Sequence, residues 1–431
     1  MDLTLNEIQT MLQSSAREFM EDQVSKARVL EIDDSENGYD PDLWEQMSNL
    51  GWPGLTIPEE YGGLGQGWVD LGVIYEVMGN YACPSPHLSS AVLSAEAILG
   101  AGSDEQKKAL LEPIATGQQI FAFAYTEPDY NWSPKAVQLQ ATKSGGSYTL
   151  NGTKLFVPDA NVADQIIVVA RTSNGSNPED GLSMLVVDRN TPGVSVRTMT
   201  GWIGPKVCEI NFENVSVDAS NLLGEEGQAW GAIENAHDRA TAVLCAYMAG
   251  GAQRVYDMTR EYSQTRIAFG VPIGTFQRVQ DHVIDAVTDA DSSKWTAFEA
   301  LWKLDQGASD ASLGVSTAKA VASQGFARAC DAAHHVHAGI QESTPHFLDG
   351  PAQADKALRV IEQVHVGLVP GDDIEIPVDH ADALADGLDG GAQQLVVELD
   401  QLRGLIHDPH HVVAAHVLLT EQGTHHDARG G

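Results

Sequence analysis

Cysteine is scarce in this chain. Its four residues, Cys83, Cys208, Cys245 and Cys330, have neither the spacing of a disulfide framework nor that of a metal site, and a reducing cytoplasm is the simplest compartment. Positive charge is also short: 25 Lys and Arg face 60 Asp and Glu, a formal net charge of −35. That balance excludes nucleic acid as a partner, and it means that any anionic ligand must be met by a few local cations. No apolar run reaches the length of a membrane span, and Met1 to Glu7 lacks the basic start and apolar core of a signal peptide. His334-His335, His410-His411 and His425-His426 lack carboxylates or further histidines at ligand spacing, so they are read as solvated side chains and no metal is expected.

What remains is a 431-residue chain, 43% apolar, large enough for two or three domains. Residues 1–120 read as helices, with apolar positions at helical spacing over Leu5–Val24, a run Asp42–Leu50 stopped by Gly51, and further helices over Asp70–Met78, Pro86–Leu99 and Asp104–Gly117. Over residues 121–225 the period changes to that of strands. Tyr148–Val157 is expected to be a hairpin turning at Asn151-Gly152, followed by strands over Asp164–Arg171, Leu182–Asp188, Val194–Arg197 and Cys208–Phe212. Residues 226–340 return to helix, with long candidates over Ala240–Thr259, Phe276–Trp302 and Val315–Ala338. Residues 341–431 differ in character, holding nine of the 15 histidines and a single lysine, Lys356; they read either as a divergent acidic tail or as a shifted reading frame.

Four short runs could carry chemistry. Arg266-Ile-Ala-Phe-Gly-Val-Pro-Ile-Gly-Thr-Phe-Gln277 combines a forked cation suited to a diphosphate, aromatic faces suited to an adenine, and Gly/Pro punctuation that allows close backbone approach. Ala122-Phe-Ala-Tyr-Thr-Glu-Pro128 puts Thr126 at the end of a strand, with Ser133 five residues beyond the proline; a polar strand end is the plainer reading. Gly152-Thr-Lys-Leu-Phe-Val157 offers Phe156 as an aromatic that lies against a cofactor or else in a core. Asp238-Arg239 places a carboxylate beside a cation at the start of a long helix, where it is either a catalytic base or a solvated acid favoured by the helix dipole.

In their order along the chain, the runs resemble those of the FAD-dependent acyl-CoA dehydrogenases over about residues 1–340. The resemblance implies an α+β fold, mainly α: an N-terminal helical domain, a middle β-barrel or sandwich domain and a C-terminal four-helix bundle. It assigns Thr126 and Phe156 to the flavin, and Arg266, Phe269 and Gln277 to the FAD of a neighbouring subunit, hence a homo- or hetero-oligomer. Ser133 and Arg239 would meet the acyl-CoA, and Asp238, where Glu is usual, would be the base. The implied reaction is α,β-dehydrogenation of an acyl-CoA thioester, in which a carboxylate takes the α-proton, a hydride leaves the β-carbon for the flavin, and the electrons pass to an electron-transferring flavoprotein. A catalytically silent subunit of a heteromeric dehydrogenase and an acyl-CoA oxidase are the alternatives. The chain departs from the family at Asp129-Tyr-Asn-Trp132, usually Gly-Ala-Gly, at Pro158, where a Thr is common, and after Ile340, where the family's Gly-Gly-x-Gly and Glu-Gly-Thr motifs are not recognisable.

Overall fold

The computed structural model describes residues 4–128, 133–199 and 206–338. Six helices open the chain: α1 (Glu7–Gln23), α2 (Lys26–Asp34), α3 (Pro41–Asn49), α4 (Trp68–Asn80), α5 (Ala95–Ala101) and α6 (Asp104–Ala115). Their starts follow side-chain chemistry. Asn6 with Gln9 and Ser103 with Gln106 form reciprocal caps on α1 and α6, and Asp40 caps α3 ahead of a first-turn proline. The run expected as one helix over Pro86–Leu99 is instead a wide π-turn, Leu88–Ser94, leading into α5, with Ser89, Ser90 and Ser94 all buried. Ser94 donates to the Ser89 carbonyl, which the regular helix ladder would otherwise pair, and Ser90 accepts from the Phe121 N–H at the start of β1.

The middle of the chain forms one sheet of eight strands: β1 (Phe121–Ala124), β2 (Gln140–Ser144), β3 (Ser147–Pro158), β4 (Gln165–Arg171), β5 (Leu182–Asp188), β6 (Val194–Thr198), β7 (Val207–Asp218) and β8 (Leu222–Leu223). The order is β6-β7-β3-β2-β4-β5-β8, with β1 parallel to β4. The hairpin expected at Asn151-Gly152 is not there. β3 runs through that dipeptide, and the turn is Gly145-Gly146, between β2 and β3. Asn151 accepts a hydrogen bond from the Asn214 N–H of β7, and Gly152 pairs with Phe212 beside a register shift, so the dipeptide marks a bulge between two long strands.

Alternation along β1 divides its side chains between two cores. Phe121, Phe123 and Tyr125 enter the helical core, whereas Ala122 and Ala124 enter the core enclosed by the sheet. β4 and β5 do the same, which explains why they read as near-continuous apolar runs. Three long helices follow: α7 (Trp230–Thr265), α8 (Gln277–Asp305) and α9 (Ala311–Ala338); the fourth expected helix falls outside the described residues. A small ribbon, β9 (Ile267–Ala268) and β10 (Val271–Pro272), joins α7 to α8. α4 crosses α7 at Gly79 and Gly250, where an added Cβ would come within 1.9 Å of the Tyr247 carbonyl oxygen and 1.8 Å of the Glu76 carbonyl oxygen. Asp305, ending α8, caps α4 through the Trp68 and Val69 N–H groups.

Candidate active site

Thr126 is buried just beyond β1, and its carbonyl accepts the Leu155 N–H at 2.9 Å. One residue on, Glu127 accepts from the Gln138 and Leu139 N–H groups and from the Lys154 ammonium at 2.7 Å, while Lys154 also donates to the Tyr125 carbonyl. Lys154 is wholly buried, so this ion pair fastens the Thr126 loop to β3 from inside. Phe156 follows at a second register shift of β3, with φ +51°, a left-handed conformation that a bulky residue adopts only when its surroundings impose it. Thr126 and Phe156 are thus held by one set of bonds. Ser133 is buried at the start of the turn that leads to Gln138; Asp129–Trp132 lies outside the described residues.

Asp238 lies well inside α7, which starts at Trp230, so neither the helix start nor the dipole accounts for it. It is half-buried: burial pushes its carboxyl up, opposed by a hydrogen bond from Ser312 and by Arg239. The preceding His237 is buried edge-on between Phe123 and Tyr125, ring centroids 5.6 and 5.4 Å away, and thereby sets α7 against the strand that leads to Thr126. Burial lowers its pKa, and Nδ1 contacts the Ile233 carbonyl at 2.9 Å. Arg239, expected as a substrate cation, makes a 2.9 Å ion pair with Glu96 of α5 and lies over the Trp68 ring. Burial raises the Glu96 carboxyl to about 7, outweighing the pull of Arg239.

The run expected to grip a dinucleotide is the ribbon between α7 and α8. Phe269 (φ +53°) and Gly270 (φ +84°) make its two-residue turn, the pairing of left-handed residues that matches the twist of a hairpin. Phe269 is 96% exposed and stands edge-on to Phe276 at 6.1 Å. Gln277 opens α8, exposed. Arg266 ends α7, and among the described residues its buried Nε has no hydrogen-bond partner. A buried guanidinium N–H left bare is costly, and an anion is what it fits. Beside the ribbon, Arg260, Ser263, Gln264, Thr275 and Gln280 help to line a cavity of about 440 Å³.

The structure therefore places the expected residues in three groups: Thr126 with Phe156, Asp238 with Arg239, and Arg266 with Phe269 and Gln277. The partners of these residues were missed. Glu127 belongs to the run that flags Thr126, and a lone lysine among the apolar residues of β3 is the signal for Lys154. Nothing in one dimension ties Glu96 to Arg239, 143 positions later.

Three family models match in succession: the N-terminal domain of acyl-CoA dehydrogenases over residues 6–118, the middle domain over 122–215 and the C-terminal domain over 227–341. A probable acyl-CoA dehydrogenase of Bacillus subtilis, YngJ, is 30% identical over 345 residues, 79% of this chain and 90% of its own length. The NADH-dependent acryloyl-CoA reductase of Anaerotignum propionicum is 32% identical over 294 residues, 67% of this chain and 74% of its own. Among solved structures, the FAD complex of PigA superposes with a TM-score of 0.75 at 25% identity, covering 86% of this chain and 96% of that one. With the helical, sheet and helical parts in family order and these matches along their length, the chain belongs to the acyl-CoA dehydrogenase family.

Proposed function

We propose that the protein is an FAD-dependent acyl-CoA dehydrogenase that desaturates an acyl-CoA thioester between its α- and β-carbons and passes the electrons to an electron-transferring flavoprotein. The observation that carries this reading is the buried Arg266 Nε, without a hydrogen-bond partner among the described residues, beside an exposed aromatic ribbon. A diphosphate completes that guanidinium, and Phe269 with Gln277 would complete the site for the FAD of a neighbouring copy, so the working form is an oligomer. Thr126 and Phe156 hold the flavin end, and bound FAD supplies the hydride acceptor. Asp238 takes the α-proton; partial burial raises its proton affinity above that of an ordinary carboxylate. Ser133 and Arg239 bind the CoA portion. The same reading divides the chain into domains over residues 1–120, 121–225 and 226–340 and a tail over 341–431. A cytoplasmic setting fits four buried, unbridged cysteines.

The test is the visible spectrum of the purified protein, followed by anaerobic titration with acyl-CoAs of several lengths. Wild type is expected to bleach and Asp238→Asn to bind the same acyl-CoAs without bleaching; equal bleaching by the variant removes Asp238 as the base. The Arg239–Glu96 pair favours a second reading, a silent subunit whose substrate cation is already engaged, for which wild type would hold flavin and never bleach. Oxygen uptake with peroxide release would instead identify an oxidase.

A further inference from the structure

Three residues beyond Phe156, Asp159 also adopts a left-handed conformation, φ +57°, and is 7% exposed. Its main chain is fully engaged: its N–H donates to the Lys206 carbonyl, and its carbonyl accepts from Val162 and Ala163. Its carboxyl is buried against the π-turn, where Oδ2 lies 2.5 Å from Ser89 Oγ. No cation meets it. Lys206 sends its ammonium to the Asp33 carbonyl. On α4, Tyr75 is spent on His87, whose second ring nitrogen lies 3.0 Å from the Trp52 carbonyl, and the thiol of Cys208 on β7 is uncharged at neutral pH.

Counting protons assigns the state. Ser89 has one hydroxyl hydrogen and two acceptors within reach, Asp159 Oδ2 and, at 3.0 Å, the Pro86 carbonyl, which also takes the Ser90 N–H. An ionised Asp159 would be a buried anion that, among the described residues, meets only that side-chain donor. A protonated Asp159 donates to Ser89 Oγ and Ser89 donates to Pro86, so one proton each serves Oδ2, the hydroxyl and the carbonyl. We propose that Asp159 is kept as a neutral acid that donates to Ser89, and that this bond is a positioning device clamping the Phe156 edge of β3 to the π-turn. The link to flavin rests on the reading that Phe156 faces the cofactor. Burial, opposed only by the Ser89 hydrogen bond, lifts the carboxyl to about 7, so the clamp is made below that pH and strained above it.

Two readouts separate the parts. In the infrared difference between wild type and Asp159→Asn, the band of a protonated buried carboxyl should be present at about pH 6 and fade by about pH 9, the range set by that titration. FAD affinity, followed by flavin fluorescence, should weaken severalfold in wild type over the same range. It should stay level in Asp159→Asn, whose amide donates to Ser89 at every pH, and be weak throughout in Ser89→Ala. Glu96 titrates nearby, so the result is the difference between wild type and Asp159→Asn. A difference spectrum without the band, or an Asn variant with the wild-type pH profile of FAD affinity, overturns the proposal. A chain that binds no FAD at any pH sinks the proposed function and the positioning role, while the band still decides the protonation state.

Discussion

Lys154 and Glu127 show what a single residue does here. A lysine with no exposed surface is tolerable because its ammonium reaches a carboxylate and a carbonyl, and that carboxylate is in turn held by two backbone N–H groups. Lys154→Met leaves the anion buried and unpaired and is expected to cost about 3–5 kcal/mol of stability, read by urea unfolding, whereas Lys154→Met with Glu127→Gln should recover part of the loss. Glu96 gives a pH-dependent counterpart. Its folded pKa of about 7 lies above the ordinary 4.5, so the folded state keeps a proton that the unfolded chain loses first. The stability this contributes is complete below 4.5 and is lost as pH climbs to about 7. Glu96→Gln should therefore melt less steeply with pH over that interval, and should lower the KM for acyl-CoA by releasing Arg239. The candidate residues Thr126, Phe156, Asp238 and Arg266 were legible because short runs carry them. Their partners were not, because burial of a lysine or a glutamate is decided by chain segments far away in sequence.

At the scale of elements, the ribbon between α7 and α8 spends apolar surface on solvent: Ile267 is 55% and Phe269 96% exposed. Neither contributes to the core of its own chain. Phe269→Ser is accordingly expected to change the unfolding free energy of a monomer by no more than about 0.5 kcal/mol. It should nevertheless lower both flavin content and oligomer mass in sedimentation, if the ribbon serves a neighbour. Unchanged flavin and mass would remove Phe269 from the cofactor site. Turn chemistry was less legible than helix caps. Asn151-Gly152 and Gly145-Gly146 both suit a hairpin, and β7 decides between them, since its Asn214 N–H and Phe212 take the first pair into a bulge. Likewise, the apolar pattern over Pro86–Leu99 is that of a helix, and the serines that widen it into a π-turn act by meeting Phe121 and Asp159 across the fold.

For the whole molecule the dominant quantity is charge. At −35 the folded chain repels itself, and cations are engaged in discrete pairs such as Arg239–Glu96, Lys294–Glu76 and Arg328–Asp289. Added sodium chloride should raise the melting midpoint as the Debye length falls from about 30 Å at 0.01 M to about 10 Å at 0.1 M, because screened repulsion is long-ranged and the half-buried pairs are less affected. A midpoint that falls with salt would show that ion pairs outweigh repulsion. The order of the parts, helices then strands then helices, was determined by sequence alone, because hydrophobic period and caps are local properties. So were the short runs that carry the candidate residues, since each is contiguous. Tertiary structure alone decided which face of β1, β4 and β5 meets helices and which meets the interior of the sheet, how Glu127 ties the Thr126 loop to β3, and where Asp159 finds a hydroxyl. Those outcomes depend on desolvation and on donors brought together from distant positions, which no local pattern records.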